Sequence, residues 1–273
     1  GVSGNNQNNV FIPKNDSIFI FIEVTVDPSS NTTPYILSDS LLFETGNNLQ
    51  SVKLVAWGQD AHFYTPNTFG EIINGNDTTK VFYHQISSNQ TWSNEKPHVI
   101  YGYVIIDPNA TLNISEGTNV YFHKSSGILV GNPFSNQLGG TLKVNGNYEN
   151  EVTFQGDRLD PWYEDIPGQW DRIRFLPGSF DNEINYAIIK NGTTGIHADT
   201  VSNSNPTVTI NNPVIKNMSS IGILGQGAKI EASNTVVSEC GQYTVACYIG
   251  GDYTFNHCTF ANYWNYSIRN SPS

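Results

Sequence analysis

Charge is scarce in this chain. Only 14% of its 273 residues are Asp, Glu, Lys or Arg, against about 25% in an ordinary globular protein. Of these, 13 are basic and 24 acidic, a net charge of −11. Phosphate recognition needs clustered Lys and Arg, so nucleic acid is excluded as a partner. An acidic surface leaves proteins, cations and neutral sugars open. No apolar run is long enough to span a bilayer as a helix. No signal peptide opens the chain, which is expected of a mature protein or an excised domain. Cysteine is also sparse. Cys240, Cys247 and Cys258 form an odd set in one region, which excludes a disulfide framework. Buried free thiols are the expectation, and one bridge among the three stays open for an exported chain.

Asparagine fills the place left by charge, with 34 residues beside 24 glycines and a single methionine. That composition favours turns and stacked side-chain ladders over helices. Aromatics at 12% fit an all-β protein.

The first 90 residues predict a small antiparallel β-sandwich of the Ig-like kind. Ser17–Val26 alternates, with Ile18, Ile20, Ile22, Val24 and Val26 on one face. Tyr35–Thr45, Ser51–Trp57 and Thr79–Ile86 follow at the strand spacing of a sandwich. Ser88–Pro97 is polar, ends in Pro and marks the expected domain boundary.

Residues 91–273 are repetitive. TLNISEGTNVYF from Thr111 is echoed by TLKVNGNYENEVTF from Thr141. INYAIIKNGTTGI from Ile184 is echoed by INNPVIKNMSSIGI from Ile210, then more loosely from Ile230 and Phe255. The centres AIIKN, PVIKN, TVVSE and CTFAN stand roughly 22 to 26 residues apart, which signifies stacked repeats. A leucine-rich repeat would need a Leu/Asn consensus and a helical half. The pattern instead predicts a right-handed parallel β-helix, each coil holding two or three short strands. Asn191, Asn217 and Asn262 fall in register, with Glu239 breaking the series, and predict an amide ladder along the coil turns. Such a coil stack needs an end cap. Either Tyr263, Trp264 and Tyr266 supply it or the native chain continues.

One stretch departs from this pattern. Val152–Phe175 holds three of the four arginines, Arg158, Arg172 and Arg174. Asp157, Asp160, Glu164, Asp165 and Asp171 lie among them, with Trp162, Tyr163 and Trp170. The flanking VTF and IRF read as coil strands, so the distinctive part is a loop of about Gln155–Asp171. Two readings stand. In one, Arg158, Arg172 and Arg174 pair with neighbouring acids and the tryptophans close over the coil edge, a structural clasp. In the other, Asp157, Arg158, Asp160, Trp162, Tyr163, Glu164, Asp165, Trp170, Asp171 and Arg172 form a binding edge for a glycan or a protein.

TLKVNG, VTFQGDR, IPGQWDRIRF and INYAIIKNG resemble the β-helix lipoproteins and exported surface proteins of Bacteroidota, as do WGQDAHF and KPHVIYGY. The resemblance covers most of the chain. It implies a β-sandwich before a right-handed β-helix and an outer-membrane-surface or secreted location. The anchoring Cys of a lipoprotein is absent at Gly1. It also implies O-glycans at Asp-Ser/Thr triplets, here on Ser17, Ser40, Thr78 and Thr200.

Catalytic signatures are wanting. The runs of Asp, Gly-His-Gly and Arg-x-Lys of polygalacturonases do not occur, and the acids of the loop match no calcium loop. His62, His84, His98, His123, His197 and His257 stand apart from any nucleophile signature. His62 with Asp60 is too little for a metal site. No phosphate-binding or dinucleotide fingerprint is present, and no cofactor is expected. The expected function is a non-catalytic platform for an outer-membrane or cell-surface protein or for a polysaccharide. The alternative is a polysaccharide lyase or glycoside hydrolase of the β-helix type.

Overall fold

The computed structural model describes residues 7–22, 35–58, 60–75, 77–159, 161–199 and 205–263. The chain divides into two units, residues 1–60 and 61–273. In the first, Tyr35–Thr45 and Asn48–Gly58 pair antiparallel from Thr45↔Asn48 outward. Gly46, at φ +62°, makes the tight two-residue turn possible. Residues 17–22 form no strand, and Phe19 and Phe21 are almost fully exposed. The rest of the Ser17–Val26 alternation lies outside the described residues.

The second unit is all β, and its sheets are long and parallel. They hold 8, 8 and 7 strands, and the chain visits them in rotation. His98–Ile100 lies in the first sheet, Tyr103–Ile106 in the second and Thr111–Ser115 in the third. Asn119–Phe122 then returns to the first, directly beside His98–Ile100. This solenoid-like path repeats to Thr259–Ala261. The repeated centres seen in the sequence all land in the first sheet, in the register Ile188↔Val214↔Val236↔Thr259.

Here the expected boundary at residue 90 is corrected. His62–Tyr64 pairs with His98–Ile100, Asp77–Ile86 with Tyr103–Ile106, and Gln90–Trp92 with Thr111–Ser115, all parallel. Residues 61–90 are therefore the first coil of the second unit, not part of a sandwich. The described part of residues 1–60 supplies one two-stranded sheet and no second sheet to face it. Alternation with period 2 signals a strand but not its neighbour, and Thr68–Asn74 does pair antiparallel with Asp77–Ile86, which imitates a sandwich hairpin.

Inward side chains stack coil on coil. In the first sheet one column runs Val120, Phe154, Ile189, Ile215 and Val237. In the second it runs Ile128, Ile173, Ile196 and Ile223. In the third it runs Ile114, Val144, Ile184 and Ile210. All of these join one buried cluster, so the core lies between the three sheets. Each coil buries its apolar side only against its neighbours.

Polar ladders fix the corners. Asn191 and Asn217 take left-handed φ values of 66° and 58° at matching positions, a region Asn tolerates better than most residues. The Asn217 amide donates to Asn191 Oδ1 at 2.7 Å. Asn262 Oδ1 accepts the Cys240 N–H. Glu239, at φ 53°, holds the same corner without the amide. The three cysteines are free: Cys240 buried, Cys258 half-buried and Cys247 exposed. Burial pushes the Cys240 thiol up to about 11.

The first coil closes with rings. His98 occupies the inward column next to Val120 and stacks on Trp92 at 4.7 Å. Tyr64 lies 4.5 Å from the same indole. The Tyr64 hydroxyl meets His98 Nδ1 at 2.9 Å, and Ser93 O meets Nε2 at 2.9 Å. A carbonyl only accepts, so Nε2 carries the hydrogen and Nδ1 accepts from the hydroxyl. Burial lowers the His98 imidazole to about 4. Its unfolded value is near 6.5, so the unfolded chain binds the proton first as pH falls. The stability tied to a neutral His98 is complete above about pH 6.5 and drains away toward pH 4, on the order of 3 kcal/mol in all. Melting curves at pH 7 and 4.5 test this: His98→Gln is expected to lose part of the wild-type pH dependence in that window.

Candidate functional site

The loop singled out by its charge runs from Gly156, the end of a first-sheet strand, to Ile173, the start of a second-sheet strand. The structure divides it into a buried root and an exposed crest.

Trp170 anchors the root. It is 1% exposed, stacks on Phe122 at 4.3 Å and donates Nε1–H to Lys190 O at 2.9 Å. Gln169 Nε2 donates to Tyr163 O and Ile166 O, both at 2.7 Å, and so folds the loop back on itself. The Asn191 amide donates to Glu164 O at 2.8 Å. The corner ladder thus extends into the loop and fixes its path.

Asp171 and Arg172 lead from the root onto the outward face of the second sheet. The Tyr103 hydroxyl donates to Asp171, and Arg172 Nε lies 2.9 Å from the same carboxylate. Arg172 also donates to His197 Nδ1 at 3.2 Å. Nε2–H of His197 is therefore the donor toward Gln226 Oε1 at 2.8 Å and Asp199 Oδ1 at 3.1 Å. Arg174 Nε closes the line on Asp199 at 2.9 Å. Burial pushes the Asp199 carboxyl up, but bonds from His197 and Arg174 outweigh it, and the group sits below its ordinary value. Burial and the bond to Asp171 raise the Tyr103 hydroxyl.

This line is electrically closed, since each acid faces an arginine. A general acid for glycoside cleavage needs a raised carboxyl, and Asp199 moves the opposite way.

The crest is different. Pro161–Tyr163 makes one 3₁₀ turn and presents Trp162 at 80% exposure. The Arg158 guanidinium lies 4.1 Å above the Tyr163 ring. Glu164 and Asp165 are exposed. At the edge of the crest Asp157 meets His123 Nδ1 at 2.7 Å, and His123 stacks on Tyr101. Asp160 lies outside the described residues, as does Thr200. Ser17, Ser40 and Thr78 are all exposed.

Of the ten residues expected at a binding edge, Arg158, Trp162, Tyr163, Glu164 and Asp165 share the crest. Trp170 is buried in the root, while Asp171 and Arg172 are half-buried and paired with each other on the outward face of the second sheet. Tyr103, His123, His197 and Asp199 carry polar contacts that the sequence reading passed over. Their only sequence signal is register, and Arg174 and His197 are cross-strand neighbours in coils of unequal length. Among the described residues no group of three or more His, Cys, Asp or Glu could hold a metal ion, and no helix is long and apolar enough to cross a membrane.

No protein-family profile matches this chain, and neither curated proteins nor solved structures yield a match.

The division into root and crest is testable by denaturation. Trp170→Ala is expected to cost roughly 3–5 kcal/mol, as large aromatic truncations in cores do, and Trp162→Ala less than about 0.5 kcal/mol. Equal losses would return Trp162 to the clasp.

Proposed function

We propose that the protein is a non-catalytic interaction platform of the cell surface, a right-handed parallel β-helix preceded by an accessory β module. The crest of loop 157–171 is its docking edge, and the partner is another surface protein. The observation that carries this reading is the split of the loop. The root spends its charges on neighbouring coils, while Trp162 stands exposed beside a stacked Arg158–Tyr163 pair on a fixed base. Trp, Tyr and Arg held rigid are the residues on which protein interfaces concentrate binding energy.

The likeness of TLKVNG, VTFQGDR and IPGQWDRIRF to exported proteins of Bacteroidota supports an outer-membrane-surface or secreted location. It also supports O-glycans on the exposed Ser17, Ser40 or Thr78. The native protein is then expected to have an intact mass above that of its sequence; a mass equal to the sequence would remove the modification.

Cross-linking to native membranes tests the docking edge. Wild-type protein is expected to capture a partner that Trp162→Ala captures at least about tenfold less well, at unchanged melting temperature. Capture unaffected by Trp162→Ala would refute the edge. New reducing ends released from polysaccharides by the purified protein would refute the non-catalytic reading and restore the hydrolase or lyase.

A further inference from the structure

A concave site lies at the hairpin edge of the second sheet. The hairpin of Thr68–Asn74 and Asp77–Ile86 and the turn at residues 132–135 border an open cleft of about 710 Å³, and Asp107 is part of its lining. That volume is within the usual range for small-ligand sites, about 300–1,000 Å³.

Asp107 organises the polar groups. Its Oδ2 accepts from Gln85 Nε2 at 2.6 Å and its Oδ1 from Asn132 Nδ2 at 2.7 Å. Asn132 Oδ1 takes the Phe134 N–H at 2.9 Å, which sets the turn. The Tyr83 hydroxyl accepts weakly from Asn132, at 3.4 Å, and no acceptor among the described residues takes its proton. Gln85 keeps one amide hydrogen and its Oε1, and each Asp107 oxygen keeps a lone pair. The result is a fixed set of donors and acceptors with capacity left over.

Aromatic surface completes the cleft. The half-buried Phe134 ring lies flat on the Gly70 backbone, where a Cβ would overlap it, and stacks beside Tyr83 at 5.5 Å. Phe69 also borders the cleft but alternates to the other face of the hairpin, where it packs on Phe82 at 5.8 Å with Lys80 Nζ 4.2 Å over its ring. The acids Glu71 and Asp107 line it; Glu71 has Lys80 as its cross-strand neighbour, while the side-chain partners of Asp107 are the amides of Gln85 and Asn132. A carboxylate held only by neutral amides, as Asp107 is, repels anionic ligands. Amides, a carboxylate and a hydroxyl around ring faces suit a molecule with hydroxyls on one side and C–H groups on the other.

We propose that this cleft binds a neutral sugar unit of a glycan chain. The carboxylate, amide and phenol read its hydroxyls, and Phe134 takes its apolar face. The site does not depend on the Trp162 edge.

Isothermal titration of the full chain with maltohexaose, cellohexaose and mannohexaose, and with hexagalacturonate as the anionic counterpart, tests it. At least one neutral hexasaccharide is expected to bind, and hexagalacturonate at least about tenfold more weakly. Phe134→Ala and Gln85→Ala are each expected to raise Kd at least about tenfold, with Trp162→Ala unchanged. Melting curves accompany each variant. If Phe134→Ala fails to fold, Gln85→Ala, whose side chain sits on the sheet surface, decides alone. No binding by any neutral hexasaccharide, equal binding of the anionic one, or full affinity in a folded Gln85→Ala would each overturn the proposal.

Discussion

Coil-to-coil register is the constraint on which this protein rests. Apart from the Thr68–Asn74 strand, which pairs inside its own coil, each strand of the three sheets takes its hydrogen bonds from neighbouring coils. The same register stacks Ile128, Ile173, Ile196 and Ile223 into one column. Backbone pairing and hydrophobic burial are then one condition. What happens between strands is free by comparison. The corner between Gly156 and Ile173 carries a long loop, yet the strands on either side stay paired with both neighbours. Insertions are tolerated where they leave the register alone.

The long loop shows how such an insertion is made rigid. Trp170 enters the core against Phe122, and the Asn191–Asn217 ladder passes a hydrogen bond on to Glu164. Asp171, Arg172, His197, Asp199 and Arg174 then form a line across the second sheet in which each acid faces an arginine. Partly buried charges are tolerable because they are paired. The same pairing gives each charge of the line a partner on a neighbouring coil or residue, whereas Trp162 on the crest stands exposed. The cleft at Asp107 follows another rule. Its side chains also bond one another, but amides, a phenol and a carboxylate retain capacity after doing so.

Much of the second unit could be read in advance. The inward columns repeat Ile and Val at steps of roughly 22 to 26 residues from Ala187 onward, and Asn tolerates the left-handed corner. Earlier coils were harder, because loops of different lengths separate their strands and hide the period. The first coil was misread altogether. Thr79–Ile86 alternates as a sandwich strand would, and Ser88–Pro97 has the polar composition of a linker, yet Gln90–Trp92 within it pairs with the third sheet.

By itself the sequence determined the all-β class, the stacked repeats, the corner asparagines and the place of the charged loop. These follow from local alternation, turn chemistry and composition, which act over a few residues. Only the tertiary structure decided which tryptophan of that loop is buried and which acids are spent. Asp157 meets His123 and Asp171 meets Tyr103, partners 34 and 68 residues away. It also decided that residues 61–90 belong to the coils. The reason is the same throughout: a strand or a side chain announces what it can pair with, and the fold chooses the partner it is brought beside.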